Sequence, residues 1–251
     1  MSRTALVVPN SEYTDYCPVA AEAGCTVIPC PHKGIGPTRQ FIIAAAYPEP
    51  VLMLDDDLTF FRRRVDDPTK FEDAFGSDIL QMLDSIENHL KDYPLVGVCA
   101  REGGNRYPNQ FYYNGRLLRV LGYDTITLSK HDIDFRTLPV MEDFYVALSL
   151  LTRGYENLML SNWCHNQRGS NESGGCSQYR TMEMQADAAN MLKQYFPKFV
   201  TVVKKQTKTA WGGQERTDVR IQWKRAYTHS GRTNGTLDKP PLDNSPEERS
   251  G

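Results

Sequence analysis

Short apolar runs alternate with amphipathic stretches along the first part of the chain. Residues 4–8 and 26–29 have the length and apolarity of buried strands, and residues 11–24 predict a short helix between them, ended by Gly24. Gly34-Ile35-Gly36-Pro37 opens a turn that runs to residue 40, and residues 41–46 predict a helix that stops before Pro48. Val51-Leu52-Met53-Leu54 is a third buried strand, and it runs straight into Asp55-Asp56-Asp57. This β-α-β-α-β order predicts an α/β chain with a Rossmann-like mixed, mostly parallel sheet flanked by helices. Ligands of such sheets gather at the carboxyl ends of strands. The aspartate cluster lies at such an end.

Further along, Ile79, Leu80, Leu83, Ile86 and Leu90 mark the clearest helix, over residues 77–91. Residues 95–100 predict a strand. Residues 110–118 predict a hairpin with Asn114-Gly115 at its turn. Residues 142–153 predict a helix ended by Gly154, residues 158–164 a strand, and 166–175 a polar loop rich in Gly and Ser. A helix over 181–195 is closed by Pro197, and residues 199–204 and 217–223 predict strands. Beyond Gly231 the chain turns polar and Pro-rich, as in disordered tails. The expected organisation is a catalytic domain over 1–198, a basic β extension over 199–232 and a tail over 233–251.

Charge changes the picture locally. The net charge of −2 rules out a general polycation. Yet between residues 201 and 232 eight cations (Lys204, Lys205, Lys208, Arg216, Arg220, Lys224, Arg225 and Arg232) oppose only Glu215 and Asp218. Trp211, Trp223 and Tyr227 are interleaved with them. Phosphate attraction combined with aromatic stacking is the chemistry of nucleic-acid binding; a solvated hairpin face with core tryptophans explains the same pattern equally well. The six cysteines form no Cys-x-x-Cys pair, which argues against a zinc knuckle. No run approaches the roughly 20 apolar residues of a membrane span, and the opening residues lack a signal-peptide pattern. The expected setting is the cytoplasm, with reduced thiols and no membrane contact.

Several residue types carry chemistry. Three adjacent carboxylates repel one another, and Mg²⁺ or Mn²⁺ relieves this while joining carboxylates to substrate phosphates. Asp55-Asp56-Asp57 lies between apolar runs, where solvated acidic loops rarely sit. Glu142-Asp143 opens a predicted helix. Each alone reads as a cap; beside the aspartates, one of them becomes a candidate general base. His165 follows Asn162-Trp163-Cys164 and is positioned to complete a metal shell. Arg39 follows the Gly-rich turn, where a guanidinium and a helix N-terminus meet phosphate. Arg101, Arg106, Tyr112 and Tyr113 are candidates for shaping an acceptor pocket.

The strand ending in Asp55-x-Asp57, the upstream Gly36-x-x-Arg39, the Glu142-Asp143 helix start and the later His165 occur in the order of GT-A glycosyltransferases. More narrowly, Gly175-Cys176-Ser177-x-Tyr179-Arg180-Thr181, with Phe196-Pro197-x-Phe199-Val200, resembles the TET/JBP-associated glycosyltransferases of phages. The resemblance implies a GT-A-like fold and a metal-dependent, inverting transfer from a nucleotide diphosphate sugar, a UDP-sugar by preference. The implied acceptor is a hydroxymethylated pyrimidine of DNA, such as hydroxymethylcytosine. Asp55 and Asp57 would match the Asp-x-Asp motif, with Asp57 the more direct ligand and Asp56 the variable middle position. Asp143 would match the catalytic base, and His165 a third metal ligand. Pro9 and Asn10 would line the nucleotide base, with Glu12 or Asp15 as acidic neighbours. Two rival functions remain open: a nucleotidyltransferase of the same fold type, which would release pyrophosphate, and a non-catalytic DNA-binding accessory protein, which would need no cation.

Overall fold

The computed structural model describes residues 4–167, 181–206 and 215–231. The chain starts with a parallel pair, β1 (Ala5–Pro9) and β2 (Thr26–Cys30), joined by α1 (Tyr13–Ala23). Gly24, at φ +66°, ends α1 in the left-handed conformation that glycine adopts freely. Helix α2 (Ile35–Ala46) begins six residues earlier than its apolar pattern predicts. Pro37 lies in its first turn, where a missing N–H leaves no bond unmade, so a proline expected in a turn instead opens the helix. A Cβ at Gly36 would stand 2.6 Å from the Phe135 carbonyl oxygen, so α2 packs closely on the 3-10 turn Phe135–Thr137.

The remaining elements are β3 (Val51–Leu54), β4 (Leu58–Arg63), β5 (Phe71–Asp73), α3 (Gly76–His89), β6 (Leu95–Ala100), β7 (Phe111–Tyr113), β8 (Val120–Tyr123), α4 (Thr125–Lys130), α5 (Glu142–Leu151), β9 (Asn157–Gln167), α6 (Met182–Tyr195), β10 (Val200–Gln206), β11 (Glu215–Ile221) and α7 (Trp223–Thr228). The main sheet has seven strands in the order β3-β8-β6-β9-β4-β5, with β7 also on β9. It is mixed and flanked by helices, as the sequence predicts. Among the described residues, parallel pairing is confined to β6–β9 within it and to the separate β1–β2 ladder. The β4–β5 and β6–β8 segments are joined without a helical crossover, and such segments return antiparallel.

The hairpin expected over 110–118 does not form. Asn114 does turn the chain, at φ +55°, but β7 pairs with β9. Asn157 explains this: its side chain accepts from the Gly115 N–H at 3.0 Å and donates to the Gly115 carbonyl at 2.9 Å. The turn is thereby fastened to the start of β9, and the chain passes on to β8.

Side chains fill both faces of the sheet. Met82 and Ile86 of α3 pack on Val96, Val98, Val120 and Leu158. On the other face, Ile43 of α2 and Val146 and Leu150 of α5 meet Leu95, Leu121 and Tyr123. A third cluster joins the far side of α5 to α6, β10, β11 and α7 through Leu148, Leu192, Phe199, Val200, Val219 and Tyr227. The β10–β11 hairpin therefore shares its apolar side with α5. Trp223, expected at the end of a strand, opens α7 and meets Phe144 edge-on at 5.5 Å. No helix among the described residues is long and apolar enough to cross a membrane. The tail over 233–251, the loop from residue 168 onward, and Cys176, Lys208, Trp211 and Arg232 lie outside the described residues.

Candidate active site at the carboxyl end of β3

Arg39 anchors the site. It lies in the second turn of α2 and is 8% exposed. Its Nη1 donates to Glu142 Oε1 at 2.8 Å, and its Nη2 reaches Asp55 Oδ1 at 3.4 Å. Burial alone would lower the guanidinium pKa, but Glu142, then Asp143 and Asp55, hold it above its ordinary value. The sequence pointed Arg39 at a phosphate; in the structure its guanidinium faces two carboxylates. Asp55 follows β3 directly, and its N–H donates to the Arg119 carbonyl at 3.3 Å. Burial raises the Asp55 pKa against the pull of Arg39 and Arg119, and Asp57 and Asp143 push the same way as burial.

Asp56 is exposed, and Asp57 is partly buried. Asp57 Oδ2 accepts from Gln167 Nε2 at 2.6 Å, while its Oδ1 is buried with no hydrogen-bond partner. His165, on β9, is 0% exposed; among the described residues neither ring nitrogen makes a well-formed hydrogen bond, although the Leu118 backbone interacts with the imidazole. Burial, reinforced by Arg119, lowers its pKa to about 4, so the imidazole is neutral at pH 7. Among the described residues no three His, Cys, Asp or Glu side chains converge closely enough to hold a metal ion by themselves. A divalent cation here would draw most of its ligands from substrate oxygens and water, as Mg²⁺ commonly does. The Asp57 oxygen, unpaired among the described residues, fits such a partner, and so does the loosely held imidazole, since buried polar atoms are rarely left unpaired.

Met141 precedes α5 at φ +64°, a backbone conformation uncommon for residues other than glycine. From there Glu142 turns inward, 4% exposed, to Arg39. Asp143 stays partly exposed and, among the described residues, makes no side-chain ion pair; its Oδ1 accepts from the Phe144 N–H at 2.9 Å. It lies within electrostatic reach of Asp55, Arg39 and Arg116. Arg116 in turn stacks over the Phe144 ring at 4.9 Å. Glu142 is thus paired with Arg39, and Asp143 is the more accessible of the two carboxylates.

Residues 2–175 match the model of the TET-associated glycosyltransferases. The chain belongs to this family. Similar proteins include the beta-glucosyl-HMC-alpha-glucosyl-transferase of Enterobacteria phage T2, 23% identical over 207 residues that cover 76% of this chain and 71% of that protein. The protein of the same name from Enterobacteria phage T6 is 23% identical over 192 residues, covering 70% of this chain and 66% of the relative.

The other residues that the sequence singled out in this TET-associated glycosyltransferase are spread more widely. Pro9 ends β1 opposite Cys30, and Pro9 and Asn10 are both exposed. The Arg101 N–H donates to the His165 carbonyl at 2.7 Å, and its guanidinium lies 5.5 Å from the Phe61 ring centre and 5.2 Å from that of Phe71. Arg106 is exposed. The Tyr112 hydroxyl accepts from the Asn109 N–H, while Tyr113 pairs with Leu158 and packs on Tyr93. That places Tyr113 at the far end of β9 from His165, partly buried against the core. On the hairpin, Lys205 and Arg216 both bind Asp218 at 2.9 Å, and Lys204 lies 3.7 Å from Glu215. Arg220 and Lys224 are exposed.

Four residues at the site escaped the sequence reading in this glycosyltransferase: Arg116, Arg119, Gln167 and Tyr123. The Tyr123 hydroxyl is buried, has no hydrogen-bond partner and lies within the field of Arg39, Asp143 and Glu142. Gln167 was legible in principle: it sits two positions past His165, on the same side of a strand. The arginines carry no local signal, because they lie in an irregular segment brought in by the fold.

Proposed function

We propose that this glycosyltransferase moves a sugar from a nucleotide diphosphate sugar to a hydroxyl of hydroxymethylcytosine in DNA, in the GT-A manner and with a divalent cation. The observation that carries the reading is Asp57, whose buried Oδ1 lacks a partner while Asp55 beside it is anchored by Arg39. Asp57 and His165 would hold Mn²⁺ or Mg²⁺, which supplies positive charge to the departing diphosphate. Asp55 lines the same edge, and Arg119 adds positive charge within electrostatic reach of it.

Asp143 accepts the proton of the acceptor hydroxyl. The hydroxyl oxygen bonds to the anomeric carbon as the bond to the diphosphate oxygen breaks, and the configuration inverts. Arg39 keeps Asp55 and the start of α5 in register during this step. The names of the phage relatives support an acceptor carrying HMC, and the cations of β10, β11 and α7 support a grip on the DNA backbone. A base inside a duplex has to leave the stack to reach the site.

The test is incubation with Mn²⁺, hydroxymethylcytosine DNA and a panel of nucleotide sugars, followed by mass spectrometry of the nucleosides. A nucleoside heavier by one sugar, with release of a nucleoside diphosphate, supports the reading. Release of pyrophosphate would identify a nucleotidyltransferase instead. DNA binding indifferent to cation, with no turnover of any donor, would leave an accessory DNA-binding protein.

A further inference from the structure

We infer, on the metal-assisted reading of this site, that Gln167 is a positioning residue that decides which oxygen of Asp57 faces the cation and the donor diphosphate. The β4–β9 register places Gln167 opposite Leu58, the residue directly after Asp57. Its Nε2 lies 2.6 Å from Asp57 Oδ2. An ionised carboxylate only accepts hydrogen bonds, so the amide donates and occupies one oxygen. The other, Oδ1, is buried and unpaired. Leaving a buried acceptor in that condition is costly, so the arrangement is complete when a cation or a donor reaches Oδ1.

The terminal torsion of aspartate is broad and roughly two-fold, so a free carboxylate presents either oxygen. The amide removes that choice. It does so without charge: a lysine or arginine at position 167 would neutralise Asp57 and compete with the cation, and a glutamate would repel the Asp57 carboxylate. Two residues earlier on the same strand, His165 is 0% exposed, and among the described residues only the Leu118 backbone engages its ring, without a well-formed hydrogen bond. Side chains two apart on a strand share a face, so β9 offers an orienting amide and a ligating imidazole from one side. Groups that orient a metal ligand typically govern metal affinity by 10- to 100-fold.

Mn²⁺ binding in the presence of UDP, followed by electron paramagnetic resonance, tests this in wild type, Asp57→Ala, Gln167→Met and Gln167→Ala. Wild type is expected to bind and Asp57→Ala to lose binding. Gln167→Met, similar in shape but without the N–H, is expected to bind roughly 10- to 100-fold more weakly with its circular dichroism unchanged. If it loses its native spectrum, Gln167→Ala takes its place. Either folded variant binding Mn²⁺ within about twofold of wild type, while Asp57→Ala does not bind, overturns the role of Gln167 alone. Wild type that binds no Mn²⁺ with UDP, or Asp57→Ala that binds as wild type does, overturns the metal-assisted reading and Gln167's role with it.

Discussion

Arg39 and Glu142 stand 103 positions apart in the sequence and meet in a buried ion pair of 2.8 Å. One guanidinium thereby ties the start of α5 to α2 and, through Asp55, to the end of β3. Removing it leaves two carboxylates without their cation. Arg39→Ala is expected to lower stability by about 3–5 kcal/mol, the range for breaking a buried pair. Arg39→Lys keeps a charge but lacks the fork that spans both partners, so it should recover only part of the loss. Urea unfolding midpoints of the two variants check the order; equal stability to wild type for Arg39→Ala would refute the anchoring role.

Asp143 is the open carboxylate of the pair at the start of α5. Asp143→Asn should bind the nucleotide sugar as wild type does and lose turnover by roughly 100- to 10,000-fold, the usual range for a general base. Donor affinity by calorimetry and kcat by product release separate the two. Donor binding that weakens in step with turnover would make Asp143 a helix cap instead.

Gly36 has no room for a side chain. Its added Cβ would meet a backbone carbonyl 2.6 Å away, and backbone yields less readily than the end of a flexible side chain. Gly36→Ala is expected to destabilise by about 1–3 kcal/mol as α2 lifts off the 3-10 turn at Phe135. Because α2 carries Arg39, donor binding should weaken too. A melting temperature equal to wild type would show that the two segments part without cost.

Asp218 is buried beneath Lys205 and Arg216. Burial alone would raise its pKa, but the hydrogen bonds from Lys205, the Val219 N–H and Arg216 hold it below the ordinary 3.8. A carboxylate with a depressed folded pKa adds stability above its unfolded value, and that stability is lost as pH falls through the folded value. Asp218→Asn should therefore cost about 2 kcal/mol at pH 7, with the difference from wild type shrinking below pH 4. The same change frees two cations, so DNA binding should tighten and depend more steeply on salt. Chemical denaturation at several pH values and a salt titration of DNA affinity test both; a stability gap that stays constant down to pH 3 would exclude the linkage.

Much of the frame was legible because apolar runs buried on both faces look alike in sequence and structure. Residues 51–54 and 95–100 form β3 and β6 with the predicted bounds, and the spacing of Ile79, Leu83 and Ile86 becomes α3. The end of β9 was hidden because its last residues, His165 to Gln167, are polar and are held by pairing with β4. β8 was hidden within a stretch rich in Gly, Asn and Arg. At the site, residue types betrayed Arg39, Asp55, Asp57, Glu142 and His165, but not who holds whom. That Glu142 serves Arg39, and that an amide caps Asp57, depends on contacts across about a hundred residues, which no local pattern encodes.

The stretch matched by the glycosyltransferase family ends at residue 175, yet the oily side of α5 is sealed by Leu192, Phe199, Val200, Val219 and Tyr227, all beyond it. A fragment trimmed to the matched stretch would bare that side of the helix that begins with Glu142 and Asp143. Such a fragment should clump rather than work, and the basic hairpin cannot be swapped between relatives as a loose accessory without also redesigning the helix it leans on.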